Sequence, residues 1–436
     1  MAVADVHFQK KTIRDVKLKG KRVLVRADYN VPLLANGKIA DDFRIRQSLP
    51  TIEYLLDQQC KIVIMSHMGR PEGKRDKHCS LEPVAERLSE LLKRKVAFAT
   101  DTVGPEVEQA VKKLKKGNIL LLENVRFNPG EKTNDKEFAR QLAALGDIFV
   151  QDGFGVVHRA DASTFGVAKL LPSVAGLLLA KEVSTITRVV ENPERPLAAI
   201  VGGAKISDKI EVLKQLIKVA DFVAIGGAMC NTFLLAEGIR TGKSLVEPDD
   251  IPLAKDIIRL ARAKSAKQQF CFYIPQDGVV AKKIDQHATT RIVDWDAHII
   301  ADVENYPKRP PRQASQIAED EIILDIGPFS GAFIAGGLQL AQTVIWNGSM
   351  GVTEVESING QGPVGPFAHG TELIVDAITG AYGHKPFSLV GGGDTVSYVQ
   401  QRGLTEHFNH VSTGGGATLD LMCGKKLPGV EVLQDL

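Results

Sequence analysis

The stretch Ala198-Ala-Ile-Val-Gly-Gly-Ala-Lys-Ile-Ser-Asp-Lys-Ile-Glu-Val-Leu-Lys-Gln-Leu-Ile-Lys-Val219 holds the plan of the whole chain. It opens on an apolar run, Ala198–Val201, of the length of a buried strand. Gly202 and Gly203 break that run, and from Ile206 to Val219 apolar residues return at helical spacing. A strand that runs into glycines and then into a helix gathers unpaired backbone N–H groups and the positive end of a helix dipole at one point. Glycine lets a ligand approach the backbone there, so the junction suits phosphate. The same succession recurs at Ile225-Gly-Gly227, Val390-Gly-Gly-Gly-Asp394 and Ser412-Thr-Gly-Gly-Gly416.

Working outward, short apolar runs alternate with helical patterns along the chain. Strands are predicted at Val23–Val25, Ile62–Met65, Ile119–Leu122 and Ile148–Val150, and again at Phe222–Ile225, Ile322–Ile326, Val344–Trp346 and Phe387–Val390. Helices are predicted at Ile45–Leu56, Val84–Leu92, Phe138–Leu145, Ile251–Ala263 and Gly370–Gly380. Such alternation implies an α/β fold with parallel sheets flanked by helices on both faces, and ligands at the carboxyl ends of the strands. A helical stretch, Lys181–Val190, runs into Glu191-Asn-Pro-Glu-Arg-Pro196, whose two prolines mark a domain boundary. Tyr306-Pro-Lys-Arg-Pro-Pro-Arg312 reads as an exposed loop of the second domain.

The two halves differ in the residues placed just after their strands. Only 12 of the 40 glycines precede Pro196. In the first half the strand ends carry donors and fixed cations instead: Asp28 and Asn30, then Ser66-His-Met-Gly-Arg70, Asn124-Val-Arg126 and His158-Arg159. Arg44 opens the first helix. An arginine fork matches carboxylate and phosphate oxygens in pairs. One half thus reads as built for a polyphosphate and the other for a small polyanion. A phosphotransferase needs that division, because its catalysis is mostly positioning and charge stabilisation.

Composition narrows the alternatives. The 436 residues are 44% hydrophobic and 24% charged, which is ordinary for a globular chain of two or three domains. A formal net charge of +2 gives no general attraction to nucleic acid or to an anionic membrane. The cysteines, Cys60, Cys79, Cys230, Cys271 and Cys423, are odd in number and scattered, as expected of reduced cytosolic thiols. Met1–Leu18 lacks an apolar signal core, and Leu170–Ala180 is too short to span a bilayer. Gly238-Ile-Arg-Thr-Gly-Lys-Ser244 is one residue short of a P-loop and comes after a helical segment. Gly153-Phe-Gly155 lacks the third glycine of a dinucleotide fingerprint, which argues against an NAD-dependent dehydrogenase. No His/Cys cluster has zinc spacing.

Seven segments together resemble the phosphoglycerate kinase family, in that family's order and over nearly the whole chain. They are Arg22–Leu33, Ser66–Pro71, Leu122–Phe127, Gly202–Lys209, Asp325-Ile-Gly-Pro328, Gly391–Thr395 and Ser412–Ala417. The resemblance implies two Rossmann-like lobes joined by a hinge helix that close when both ligands are bound. Residues 1–190 would bind 3-phosphoglycerate and 191–415 the nucleotide, with 416–436 packing back on the first lobe. It implies reversible transfer between 1,3-bisphosphoglycerate and ADP, giving 3-phosphoglycerate and ATP with Mg²⁺, in a cytoplasmic monomer with no nucleic-acid or membrane partner. By matching position, Asp28, Tyr29, Asn30, Arg44, His67, Met68, Gly69, Arg70, Arg126 and Arg159 are the substrate residues. Lys205, Lys209, Gly327, Asn347, Glu354, Gly392, Gly393, Asp394 and Thr395 are the nucleotide residues, with Asp394 also toward Mg²⁺. Arg44, Lys205, Gly392 and Gly415 are the catalytic set. The chain departs from the family pattern at Tyr29, Gly153, Val156-Val157, Ser349 and Thr353, and its Glu354–Phe367 segment is longer. A catalytically weak relative that binds nucleotide is the competing reading.

Overall fold

The computed structural model describes residues 8–295, 317–358 and 364–436. The proline-rich stretch Tyr306–Arg312 and part of the Glu354–Phe367 segment lie outside the described residues. The chain divides into two compact units, one reaching to Thr187 and joined by Thr413–Leu436, the other Arg188–Ser412. The first division falls inside the helix Leu177–Glu191, ahead of the proline-rich segment that the sequence marks.

The first unit is built on β1 (Arg22–Arg26), β2 (Lys61–Met65), β3 (Val96–Phe98), β4 (Ile119–Leu121), β5 (Ile148–Gln151) and β6 (Ser173–Ala175). All pair in parallel, in the order β3-β4-β2-β1-β5-β6. Both faces are sealed. Val23, Val25, Ile62 and Ile64 enter one core cluster, while their neighbours Leu24, Val63 and Met65 enter another. Continuous apolar runs are required of strands covered on both sides. The sheet grows in opposite directions from β1, toward β2 on one side and β5 on the other, so its ligand crevice lies at the carboxyl ends of β1 and β5.

The second unit repeats the scheme with β7 (Leu197–Val201), β8 (Phe222–Ile225), β9 (Cys271–Tyr273), β10 (Asp277–Ala281), β11 (Arg291–Asp294), β12 (Ile322–Ile326), β13 (Thr343–Asn347), β14 (Phe387–Gly391) and β15 (His410–Val411). Six of these form a parallel sheet, β15-β14-β13-β7-β8-β9. The expectation that Ile322–Ile326 joins that sheet is corrected: it pairs antiparallel with β10 in a separate sheet, β11-β10-β12. An apolar run records burial but not the direction of its partner. The switch point here lies between β7 and β13, where Gly202 succeeds one strand and Gly348 the other.

Two helix boundaries matter for the site. The helix expected from Ile206 begins at Ile210; Ile206–Lys209 form a turn tied by Lys209 N–H to Ile206 O at 2.9 Å and by Ile206 N–H to Glu247 Oε2 at 2.7 Å. Lys205 therefore precedes a turn rather than a helix. The helix Leu177–Glu191, which crosses the division between units, is docked at its start by Asp152. Its Oδ1 accepts Thr51 Oγ1 at 2.9 Å and Leu178 N–H at 3.1 Å. Burial pushes the Asp152 carboxyl up to about 7.

At the second switch point the backbones of β7 and β13 come too close for any side chain. A Cβ on Gly202 would stand 2.0 Å from Ser349 O, and one on Gly348 would stand 2.1 Å from Gly202 O. Substituting Gly202→Ala forces these backbone segments apart. It is expected to destabilise the protein by about 1–3 kcal/mol, measured by urea unfolding. A wild-type midpoint would show that the contact can relax freely.

Candidate active site

In the first unit, the residues expected at the substrate site meet at the ends of β1, β2 and β4. Asp28 accepts Arg44 Nη1 at 3.1 Å through Oδ2 and Asn30 N–H at 3.2 Å through Oδ1. Arg44 also donates to Asn30 O at 3.1 Å. Asn30 Oδ1 accepts Gly69 N–H at 2.8 Å, and Gly69 O accepts Arg126 Nη1 at 2.7 Å. Asn124 closes the chain, donating to Met68 O at 2.7 Å and accepting Arg126 N–H at 3.0 Å. Each loop after a strand is thus fixed by the next. Gly155 approaches Asp28 from the end of β5, where a Cβ would stand 2.2 Å from Asp28 Oδ2.

The electrostatics favour an anion. Arg70, Arg126, Lys132 and Arg159 line one cavity, with Asp161 the carboxylate on its wall. Burial, then Arg159 and Arg26, bring Arg126 down to about 10, and its Nε has no partner among the described residues. Burial works against ionisation of Asp28, but Arg44, and behind it Arg26, overcome it and hold the carboxylate below its ordinary value. His67 is held well below the usual histidine range by burial and by Arg26, Arg126 and Arg159, against the pull of Asp28. A neutral ring fits its contacts, because Nδ1 lies 3.3 Å from the donor Arg26 Nη2. The 3.8 Å approach of that nitrogen to Asp28 is then no ion pair. Arg159 Nε donates to His158 Nε2 at 3.1 Å, which likewise suits a neutral ring.

Two expected residues take other places. Tyr29 is fully buried with its hydroxyl 2.9 Å from Ser48 Oγ, so its side chain belongs to the core and only its backbone borders the site. Met68 is also buried and offers its carbonyl to Asn124. Sequence reasoning passed over Arg26 and Lys132. Arg26, 1% exposed, lies under the cluster and donates through Nε to Ser163 Oγ at 2.7 Å. Ser163 Oγ in turn donates to the buried Glu131. A charge closing an otherwise apolar strand was the available signal for Arg26.

In the second unit the backbone supplies most of the site. A cavity is lined by Gly203, Gly227, Ser349, Glu354 and Asp394, among others. Gly392, at φ 92°, precedes the helix Gly393–Gln401, whose first turn carries Asp394. Lys209 Nζ donates to Asn347 Oδ1, and the Nδ2 of that fully buried amide lacks a partner among the described residues. Burial lowers the Lys209 ammonium against Asp394 and Asp208. Thr395, also buried, accepts Gly348 N–H at 2.6 Å and steadies the β13 end. Lys205 is exposed; its neighbour Ala204 lines the cavity. Gly327 precedes the helix Pro328–Leu338 and donates to Asp277 O at 2.9 Å.

Gly415 needs relocation. The junction Ser412–Gly416 reads in sequence as a fourth phosphate loop of the nucleotide half, yet from Thr413 onward the chain belongs to the first unit. Thr413 donates through N–H at 2.6 Å and Oγ1 at 2.7 Å to the buried Glu182. A Cβ on Gly414 would stand 2.6 Å from the Phe154 ring. Trp295 was not singled out by sequence, and Asp325 only as the start of a family-like segment without a site role; both line the cavity of the second unit. Burial pushes Asp325 up to about 8 although it accepts Gly370 N–H at 2.8 Å and Ile326 N–H at 2.9 Å. Among the described residues no group of three or more His, Cys, Asp or Glu is placed to hold a metal, and no helix is long and apolar enough to cross a membrane.

Two parallel α/β units, one presenting cations at its strand ends and the other glycines and a lysine, define a kinase of the two-lobed α/β class. Residues 13–425 match the family model described as phosphoglycerate kinase. The chain is 47% identical over 426 residues to a phosphoglycerate kinase of Moorella thermoacetica, covering 98% of this chain and 99% of that one. It is 46% identical to that of Dictyoglomus turgidum, covering 98% and 99% respectively. A phosphoglycerate kinase structure from Coxiella burnetii superposes with a TM-score of 0.78 at 37% identity, covering 97% of this chain and 98% of that one. One from Pyrococcus horikoshii gives a TM-score of 0.80 at 29% identity, with the same coverage of both chains. The chain belongs to the phosphoglycerate kinase family, enzymes that transfer phosphate to a carboxyl acceptor.

The buried carboxyl of Asp325 makes stability depend on pH. Its folded value is raised to about 8, so its contribution is full below about pH 4 and is lost as pH rises through about 8. Asp325→Asn removes this loss. In paired urea unfolding, the variant is expected to gain on the wild type steadily from about pH 4 to pH 8. A constant difference would mean that Asp325 is ionised throughout.

Proposed function

We propose that this chain carries out its family's reaction, reversible phosphoryl transfer between 1,3-bisphosphoglycerate and ADP, as a cytoplasmic monomer. The carrying observation is the cavity lined by Arg70, Arg126, Lys132 and Arg159, where burial and like charges depress Arg126. A multiply charged anion relieves that crowding, and a phosphorylated carboxylate is such an anion. The free thiols of Cys60, Cys79, Cys230 and Cys271 suit a reducing compartment.

In the direction of ATP consumption, the carboxylate of 3-phosphoglycerate attacks the γ-phosphorus of ATP. A new C–O–P bond forms, the bond to the ADP oxygen breaks, and no proton moves, because the carboxylate is already ionised at neutral pH. A general base is unnecessary, so the neutral His67 is no obstacle. Transfer then rests on position and charge. Arg44, braced by Asp28, and Lys205 are the cations assigned to the moving phosphoryl group, with the amides of Gly392, Gly393 and Gly415. Arg70, Arg126 and Arg159 hold the phosphate that stays on the substrate, and Asn30, His67 and Gly69 complete its site. Lys209, Asn347, Thr395 and Gly327 support the nucleotide phosphates, and Glu354 the ribose. A Mg²⁺ ion is commonly held by one or two carboxylates together with substrate phosphates. Asp394, on the cavity wall near Lys209, fits that role, and the bound ion would neutralise phosphate charge. Bending at the helix Leu177–Glu191 is the motion we assign to bringing the two ligands within bonding reach.

A coupled assay of ATP consumption with 3-phosphoglycerate, with and without Mg²⁺, tests the reaction; no turnover would favour a relative that only binds nucleotide. Lys205→Ala is expected to lower turnover a few hundred-fold, about 3–4 kcal/mol for one lost electrostatic contact, with an unchanged unfolding midpoint. Near-normal turnover would remove Lys205 from the mechanism. Arg126→Ala is expected to weaken 3-phosphoglycerate far more than ATP in calorimetric titrations. Equal losses would contradict the separation of the two binding sites.

A further inference from the structure

Lys132 stands in the substrate cavity without any role in the assignments above, on the loop between Arg126 and the helix Lys136–Ala143. It forms no ion pair or hydrogen bond with another described residue. Its backbone is nonetheless fixed from below. The preceding residue, Glu131, is 1% exposed and accepts Ser163 N–H at 3.0 Å. Its carbonyl accepts Ala162 N–H at 2.9 Å, so the loop is bolted to the segment that carries Arg159 and Asp161. The loop is also closed on itself by Asp135 N–H to Gly130 O at 2.9 Å, and Asp135 caps the next helix through Phe138 N–H at 2.8 Å. A lysine needed only for solubility requires no such anchorage. Here the loop root is buried while the ammonium remains unpaired beside three arginines.

We propose that Lys132 is a further substrate-binding residue, a fourth cation for the phosphate monoester that stays on the three-carbon acid. The proposal rests on the assignment of this cavity to 3-phosphoglycerate and extends it. The charge count favours it: a phosphate dianion and its carboxylate neighbour meet Arg70, Arg126, Arg159 and Lys132 against the single carboxylate of Asp161. Lysine acts as a point charge on a flexible stem, so it can track the phosphate where an arginine fork is fixed. Glu131 is then a positioning residue, since it sets the loop from which Lys132 reaches.

Lys132→Met removes the charge and keeps the stem. It is expected to raise both the Kd and the KM for 3-phosphoglycerate about tenfold, the order of one charge-assisted hydrogen bond. The Kd for ATP, kcat and the urea midpoint should stay at wild-type values, and the salt dependence of 3-phosphoglycerate binding should become shallower. Lys132→Arg should restore most of the affinity. Unchanged 3-phosphoglycerate binding in Lys132→Met overturns the proposal, as does an equal loss for ATP, which would mark a structural role. Arg126→Ala, titrated in parallel, separates this failure from failure of the underlying assignment. If Arg126→Ala loses affinity and Lys132→Met does not, only the role of Lys132 falls; if neither loses affinity, the substrate assignment of the cavity falls with it.

Discussion

A parallel sheet covered on both faces leaves one place for polar chemistry, the row of strand ends. In this chain Val23 and Leu24, adjacent on β1, already belong to different core clusters, so neither face of the first sheet can open toward solvent. The crossovers that bury the faces also aim the strands one way, and the ends of β1, β2, β4 and β5 are then where residues that meet a ligand gather. Asp28 and His67 come two residues after β1 and β2, and Arg126 lies in the short turn Val125–Phe127 that succeeds β4. The same constraint acts in the second unit at Gly202, Asn347 and Gly392, at the ends of β7, β13 and β14.

Within that shared constraint the two units solve opposite problems. The first must hold fixed cations close together without an anion to separate them. It does so by tying the guanidinium groups to backbone carbonyls and neighbouring side chains: Arg126 to Gly69 O, Arg44 to Asn30 O, Arg26 to Ser163 and through it to Glu131. The cost is visible in the depression of Arg126 and in the loss of protonation at His67. The second unit avoids stored charge. It brings backbones so close that only glycine fits at positions 202 and 348, and presents N–H groups and one half-buried lysine at its strand ends.

Much of this was legible in the sequence because apolar runs and glycines report directly on burial and close approach. The strand β7 with its glycines, the cation-bearing ends of the first half and the helix before Pro193 were all readable. Contact through space was not. Nothing in the pattern of Ile322–Ile326 distinguishes a parallel neighbour from an antiparallel one. Tyr29 lies inside a motif of site residues, yet in the loop after β1 its ring is buried in the core against Ser48. Gly415 comes after a strand of the second sheet, but Thr413 is claimed by Glu182 of the first unit, 231 positions away in sequence. Arg26 and Lys132 were missed for the same reason, since their importance comes from Ser163, Glu131 and Arg159, which only folding brings near.

The central claim is that the first unit binds the three-carbon acid and the second the nucleotide. Amide hydrogen exchange on the whole chain, with 3-phosphoglycerate alone and with ADP and Mg²⁺ alone, tests it most directly. The account predicts that 3-phosphoglycerate slows exchange around residues 66–70, 124–132 and 159–163 and leaves 202–209 and 391–396 unchanged, while ADP does the reverse. Protection of 202–209 by 3-phosphoglycerate alone, with residues 66–70 and 124–132 unaffected, would contradict it.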